Sequence, residues 1–69
     1  MIKLISIDAN EGSAKRVTIY ADTKAEVAST GAATSVTGLD GAIAPASILF
    51  TSAFEVAILK SDDDWEWDA

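Results

Sequence analysis

The stretch that most constrains the fold is the last third of the chain, Ser47 to Trp67, which reads SILFTSAFEVAILKSDDDWEW. Two β-rich apolar runs, 48–51 and 54–59, are separated by small residues, and an acidic turn then leads to Trp65-Glu66-Trp67. Short apolar runs bounded by Ser, Asp and small residues are typical of strands joined by tight turns. The pattern predicts a three-stranded meander with strands near 47–51, 54–59 and 64–67.

Two further strands are predicted at the N-terminal end, near residues 2–7 and 16–20, joined by a hairpin loop over 8–13. The second strand alternates apolar and polar residues, whereas the first has apolar residues on both of its faces. We therefore expect the first strand to be covered on both sides, by its own domain and by a neighbour.

The segment between these units begins with Asp22, a good N-cap residue, and predicts one short helical turn near 23–28 that ends before Gly31. Small and turn-forming residues dominate 29–41. Two interpretations stay open: a surface loop carrying a short strand near 34–37, or an extended arm that becomes ordered only against a partner. Pro45 marks the entrance to the meander.

Together these patterns predict one small all-β or β-dominated domain over residues 1–69, built as a single sheet or a mini-barrel. Its predicted parts are an N-terminal hairpin (1–21), a short helix with a Gly/Ala-rich loop (22–46) and the C-terminal meander (47–69).

Large side chains of the meander are the candidate functional residues. Both Trp and both Phe residues of the protein lie in this final third, and such rings bury large areas, so we expect it to supply most of the core. Tryptophan is also enriched at binding hot spots, so an interface is the alternative. The candidate core or interface anchors are Phe50, Phe54, Val56, Ile58, Trp65 and Trp67.

The size of the chain predicts assembly with other polypeptides. A core of 69 residues seldom leaves more than about 3–5 kcal/mol of stability without a disulfide, a structural metal or a partner. The chain has no Cys and no His, so neither a disulfide nor the common zinc ligand sets are available. We therefore expect a homo-oligomer, or packing against a larger partner.

Several function classes are disfavoured by composition. Without His or Cys there is no Ser-His-Asp or Cys-His nucleophile, and no glycine pattern matches a phosphate-binding loop. We predict that the protein is not an enzyme and has no cofactor and no metal. The acidic residues Asp62, Asp64, Glu66 and Asp68 are the one metal-site candidate, and a solvated turn is the favoured interpretation.

The charge and the N-terminal sequence bear on partners and compartment. A net charge of −6 argues against binding nucleic acid through its phosphates. No apolar run approaches the roughly 20 residues of a membrane span. The start of the chain lacks the features of a secretory signal, so we expect synthesis in the cytosol with the mature protein starting at Met1.

Two segments carry a resemblance to a family. They are VTIYADTKAEV, followed by a Gly- and Ala-rich loop, and APASILFTSAFEVAILKSDDDWEW, and they resemble small accessory virion proteins of tailed bacteriophages over about fifty residues. The chain departs from the family pattern in having Ala46, and Asp63 or Asp64, where that pattern has Gly.

The resemblance implies a non-enzymatic protein of the particle, made in the host cytoplasm and located in the virion. Its implied role is capsid decoration or the base of a head fibre, through contacts with the major capsid protein or another virion protein. A homo-oligomer is expected, and a trimer is one closed form. The alternatives are a small tail-associated structural protein, or an acidic inhibitor that binds a host protein.

Overall fold

The computed structural model describes residues 1–68, which form one six-stranded mixed sheet. Strand order is β1-β2-β4-β5-β6, with β3 also pairing to β2. The predicted β-dominated fold and C-terminal meander are confirmed, in the single-sheet form rather than the mini-barrel. The elements are β1 (Ile2–Glu11), β2 (Ala14–Ala21), a 3-10 turn (Lys24–Glu26), β3 (Ala42–Ile43), β4 (Ile48–Thr51), β5 (Val56–Leu59) and β6 (Trp65–Asp68).

The N-terminal hairpin is longer than the sequence predicts. The expected loop over 8–13 shrinks to the two-residue turn Gly12-Ser13, and Gly12 has a φ of 68°, which suits the first position of a type II′ turn. Asp8 can lie within β1 because its carboxylate accepts hydrogen bonds from the hydroxyls of Ser6 (3.1 Å) and Thr18 (2.9 Å). Local side-chain bonding therefore extends the strand through a polar residue that normally favours a loop.

The mixed pattern of β1 reflects two shifts in its pairing with β2, one between Leu4 and Ser6 and one between Ile7 and Ala9. Such bulges leave a residue without a direct partner and change the faces of those that follow. Ile5 and Ile7 are both exposed. Residues 1–68 therefore leave β1 partly open to solvent, and its coverage by a neighbour stays a prediction.

The part of the segment 22–46 that precedes β3 lies across one face of the sheet. Its helical turn is limited to Lys24–Glu26, and the strand expected near 34–37 is wrong, because Thr37 forms only an isolated bridge to Lys3. The apolar side chains Val27, Val36 and Leu39 instead pack against the buried cluster of the sheet. We call the covered side the inner face.

The buried cluster on the inner face draws on most of the chain. Five of its nine members precede Ser47, so the expectation that the final third supplies most of the core is wrong. The prediction relied on the Phe and Trp residues of the final third, but only one of these four residues is buried. The cluster comprises Ile2, Val17, Ile19, Ala21, Ile43, Leu49, Ala57, Leu59 and Trp65.

Ser47 links β3 and β4, which pair one after the other along the same side of β2. Both β3 and β4 run parallel to β2, and Ser47 is fully buried in the gap between them. Its hydroxyl accepts a hydrogen bond from the N–H of Val17 (3.0 Å) and donates one to the carbonyl of Ala44 (2.7 Å). The hydroxyl thus takes the place of a backbone carbonyl, and the β2 ladder has no orphaned donor there.

Three turns use left-handed backbone at residues other than glycine. Ala46 has a φ of 73°, Phe54 a φ of 62° and Asp63 a φ of 72°. This conformation costs an L-residue roughly 1–2 kcal/mol, less for Asp, whose short polar chain bonds locally. The carboxylate of Asp63 does accept a hydrogen bond from the N–H of Ala32 (3.0 Å), whereas the methyl group of Ala46 gives no such compensation.

Ala46→Gly should therefore stabilise the protein. Because Gly adopts positive φ without a steric penalty, we expect the free energy of unfolding to rise by about 0.5–1 kcal/mol. Urea unfolding, with the midpoint and slope measured separately, provides the test. Ala53→Gly is the matched control, since Ala53 is an exposed turn residue without positive φ and its replacement should be neutral or destabilising. Equal losses for both variants would contradict the prediction.

Candidate interaction surface

The side of the sheet opposite the inner face carries two rows of side chains, because directly paired residues on neighbouring strands point to the same face. One row runs from β1 to β6 through Lys3, Tyr20, Phe50, Val56 and Asp68. The other runs through Ser6, Thr18, Ile48, Ile58 and Glu66. We call these ten residues the outer face.

The centre of the outer face is apolar and open to solvent. Ile48, Val56 and Ile58 keep 42%, 40% and 44% of their surface exposed. Tyr20 and Phe50 are half-buried, and their rings meet edge to face with centroids 5.5 Å apart. Clustered exposed apolar residues of this kind mark interaction sites, whereas isolated ones do not.

A groove of about 410 Å³ opens on this side, at β5 and β6. Apolar side chains form much of its lining, and carboxylates stand at the β6 end. Its lining includes Ile48, Val56, Ile58, Glu66 and Asp68 of the outer face, together with Ala57 and Trp67, a pair that belongs to the inner face. The outer face is therefore concave at this end as well as apolar, whereas the surface of a flat sheet has no such depression.

The two ends of the outer face differ in charge. Lys3 stands at the β1 end, with its Nζ 5.9 Å from the centroid of the Tyr20 ring. Asp68 and Glu66 stand at the β6 end, where Glu66 Oε1 is 3.6 Å from Lys60 Nζ. The outer face therefore runs from a cation through an apolar centre to two carboxylates.

The structure separates the six predicted anchors into three places. Phe50, Val56 and Ile58 come together on the outer face. Trp65 is buried on the inner face, and its Nε1–H donates a hydrogen bond to Thr34 Oγ1 (3.0 Å). Trp67 is half-buried on the same face, beneath Lys24 Nζ at 4.9 Å from the ring centroid.

Phe54, the sixth anchor, lies in the turn between β4 and β5, so the strand predicted from residue 54 begins only at Val56. It is 95% exposed and has a φ of 62°. Its interpretation as a core residue is wrong, and its interpretation as an interface residue stays a prediction. A bulky side chain held at positive φ in solvent is strained without any compensating burial.

Sequence reasoning missed part of the outer face. Ile48 and Tyr20 belong to its centre, and Lys3 and Asp68 to its ends. The alternation within 16–20 and 48–51 was visible in the sequence and assigns each residue to one of two faces. The parallel pairing of β2 with β4, which unites those faces, involves residues about thirty apart and leaves no local pattern.

The acidic turn is engaged in local hydrogen bonds. Asp62 Oδ1 accepts from the N–H of Asp64 (3.1 Å), and the carbonyl of Asp63 accepts from the N–H of Gly31 (2.8 Å). Among residues 1–68, no group of three or more acidic side chains is arranged to hold a metal ion. The turn therefore serves as the anchor of the 29–32 loop.

A second charged cluster lies where the 22–46 segment meets β1. The α-ammonium of Met1 is 2.6 Å from Asp22 Oδ2 and 2.7 Å from Glu26 Oε1. Hydrogen bonds from the ammonium lower the pKa of both carboxyl groups, and their reciprocal effect raises the pKa of the ammonium. Glu26 also lines an adjacent cleft of about 440 Å³, and it is the one ionisable side chain among the described residues that line this cleft. Solvent-exposed pairs of this kind contribute little to stability.

Residues 1–68 contain no helix long and apolar enough to cross a membrane. Comparison with known proteins found no matching family model, no similar curated protein and no similar solved structure. The class of this molecule is thus defined by its fold and surface: a small β-sheet domain with one covered face and one solvent-exposed face that is apolar at its centre.

Proposed function

We propose that this chain is a non-enzymatic structural protein of a tailed-phage particle, and that its outer face packs against another polypeptide of that particle. The proposal rests on one observation. A sheet of six strands has one face covered by its own chain and leaves Ile48, Val56 and Ile58 exposed on the other. Val27, Val36 and Leu39 cover the inner face only, so the exposed apolar side chains of the outer face are left for another polypeptide to cover.

Phe54 supports the same role. Its exposed ring and left-handed backbone destabilise the isolated domain and would be relieved by glycine. Strain of this kind is often found at functional positions, where a partner compensates for it. Large aromatic side chains are also enriched among residues that dominate binding.

The phage setting rests on the resemblance of 17–27 and 44–67 to accessory virion proteins. Those proteins have Gly at the positions of Ala46 and of Asp63 or Asp64. Ala46 and Asp63 adopt the left-handed conformation that Gly favours, which supports the resemblance. The major capsid protein, or another virion protein, is the proposed partner, and the virion is the proposed location.

The test is quantitative mass spectrometry of particles purified from the phage that encodes this sequence. We expect the chain at a constant ratio to the major capsid protein. Particles made with Ile58→Lys should lose the chain, because a charge at an apolar contact must be desolvated without a partner. Ile7→Lys is the matched control, since Ile7 is similarly exposed (50%) but is paired with Val17, whose side chain lies on the inner side.

Phe54→Gly adds an independent reading. The variant should be at least as stable as the native protein in urea and yet be incorporated less well. A chain that is absent from purified particles would overturn the proposal, and a host protein co-purifying with it from infected cells would then favour the inhibitor alternative.

A further inference from the structure

We infer that the polypeptide covering the outer face is a second copy of this chain, packed face to face about a two-fold axis parallel to the strands. This inference rests on the proposed use of the outer face for assembly and names its partner. Two sheets packed in this way form an aligned β-sandwich, with about 10 Å between layers.

The registers of the sheet decide the orientation. A two-fold axis parallel to the strands and passing over β4 reverses the strand order of the second copy and keeps each row opposite itself. Lys3 of one copy then faces Asp68 of the second copy, and this contact occurs twice. The apolar centres coincide, with Phe50 opposite Phe50 and Ile48 opposite Ile48 of the second copy.

The other face-to-face orientation, with the axis perpendicular to the strands, keeps the strand order and exchanges the two rows. It places Asp68 opposite Glu66 of the second copy, so like charges meet at one end. It also leaves Lys3 opposite Ser6 without a carboxylate. Because like charges directly opposite each other disfavour association, the charge pattern selects the parallel axis.

The surface available is sufficient for a dimer. A stable interface takes about 800 Å² from each partner, which is about a fifth of the 4032 Å² surface of residues 1–68. One whole side of a five-strand-wide sheet can supply such an area. Twist separates the corners of packed sheets, and the long side chain of Lys3 can span the wider gap there.

Sedimentation velocity of the full chain over a range of concentrations provides the test. We expect a reversible dimer. Ile48→Lys should abolish it at every concentration where the native chain is dimeric, because two ammonium groups would meet at the axis. Ile7→Lys should dimerise like the native chain. Circular dichroism and urea unfolding would verify that each variant is folded.

Charge reversal tests the orientation itself. Lys3→Glu and Asp68→Lys should each weaken dimerisation about tenfold, although they change the net charge in opposite directions. The double variant Lys3→Glu/Asp68→Lys restores the native net charge and both pairs, so its dissociation constant should return to about the native value. A double variant as weak as the single ones would overturn the inference.

The outcomes separate this inference from the proposed function. A native chain that is monomeric at every concentration, or trimeric, overturns the inference that a second copy covers the outer face. If the Ile58→Lys variant is nevertheless absent from purified particles, the outer face still has a role in assembly, with another protein as its partner. A dimer that behaves as expected, from a chain absent in purified particles, supports the inference and overturns the proposed function.

Discussion

Trp65→Ala should lower the free energy of unfolding by about 3–5 kcal/mol, because it removes the largest side chain of the buried cluster and leaves a cavity. It also leaves the hydroxyl of Thr34 without the indole donor that lies 3.0 Å away. Since a domain of this size holds a similar total stability, the isolated variant should be largely unfolded at room temperature. Urea unfolding followed by circular dichroism measures the loss.

Two variants separate the contribution of packing from that of the indole hydrogen bond. Trp65→Phe keeps most of the packing and loses the hydrogen bond, so it should cost about 1–3 kcal/mol, less than alanine. Trp67→Ala is the matched control on the same strand and face. Trp67 is only half-buried, beneath Lys24, so its loss should be clearly smaller. A folded Trp65→Ala variant that fails only in assembly would instead place this ring at an interface.

Ser47→Ala is expected to have the second largest effect, a loss of about 1–3 kcal/mol. The substitution removes one atom, yet it leaves the N–H of Val17 without an acceptor and the carbonyl of Ala44 without a donor. Both Val17 and Ala44 are buried, so water cannot readily replace the hydroxyl. The Val17 amide should also exchange its hydrogen faster than in the native protein.

Ser52→Ala is the control for this prediction. Ser52 also donates a hydrogen bond to a backbone carbonyl, that of Asp22 (3.0 Å), but it is exposed. Its replacement should change stability by no more than about 0.5 kcal/mol. Comparable losses for the two serines would mean that Ser47 does not complete the β2 ladder.

At Phe54 the local sequence pattern and the tertiary structure disagree. Its run of apolar neighbours suggested a strand starting at residue 54, and large aromatic side chains are usually buried. Thr51 instead accepts hydrogen bonds from the N–H groups of Ala53 and Glu55 (both 3.3 Å), which closes the turn and holds Phe54 outside it. Side-chain capping by a buried threonine leaves no hydrophobic pattern to detect.

The alternation of the meander could be predicted because it is local. Leu49 and Thr51 are buried while Ile48 is exposed, and Ala57 and Leu59 alternate with Val56 and Ile58. Successive side chains in a strand point to opposite faces, so the sequence divides each strand into two sets without reference to the rest of the chain. The sequence does not show which of the two sets of side chains will be covered by other segments.

That choice was made by contacts between distant residues. The sequence by itself determined the approximate positions of five of the six strands, their two-sided pattern and the absence of His and Cys chemistry. Only the tertiary structure decided that β2 pairs in parallel with β3 and β4, that the 22–46 segment covers the face of Leu49 and Leu59, and that Ile48 and Ile58 stay bare. The physical reason is that strand faces follow from backbone geometry, whereas parallel pairing and burial depend on which distant segments pack together.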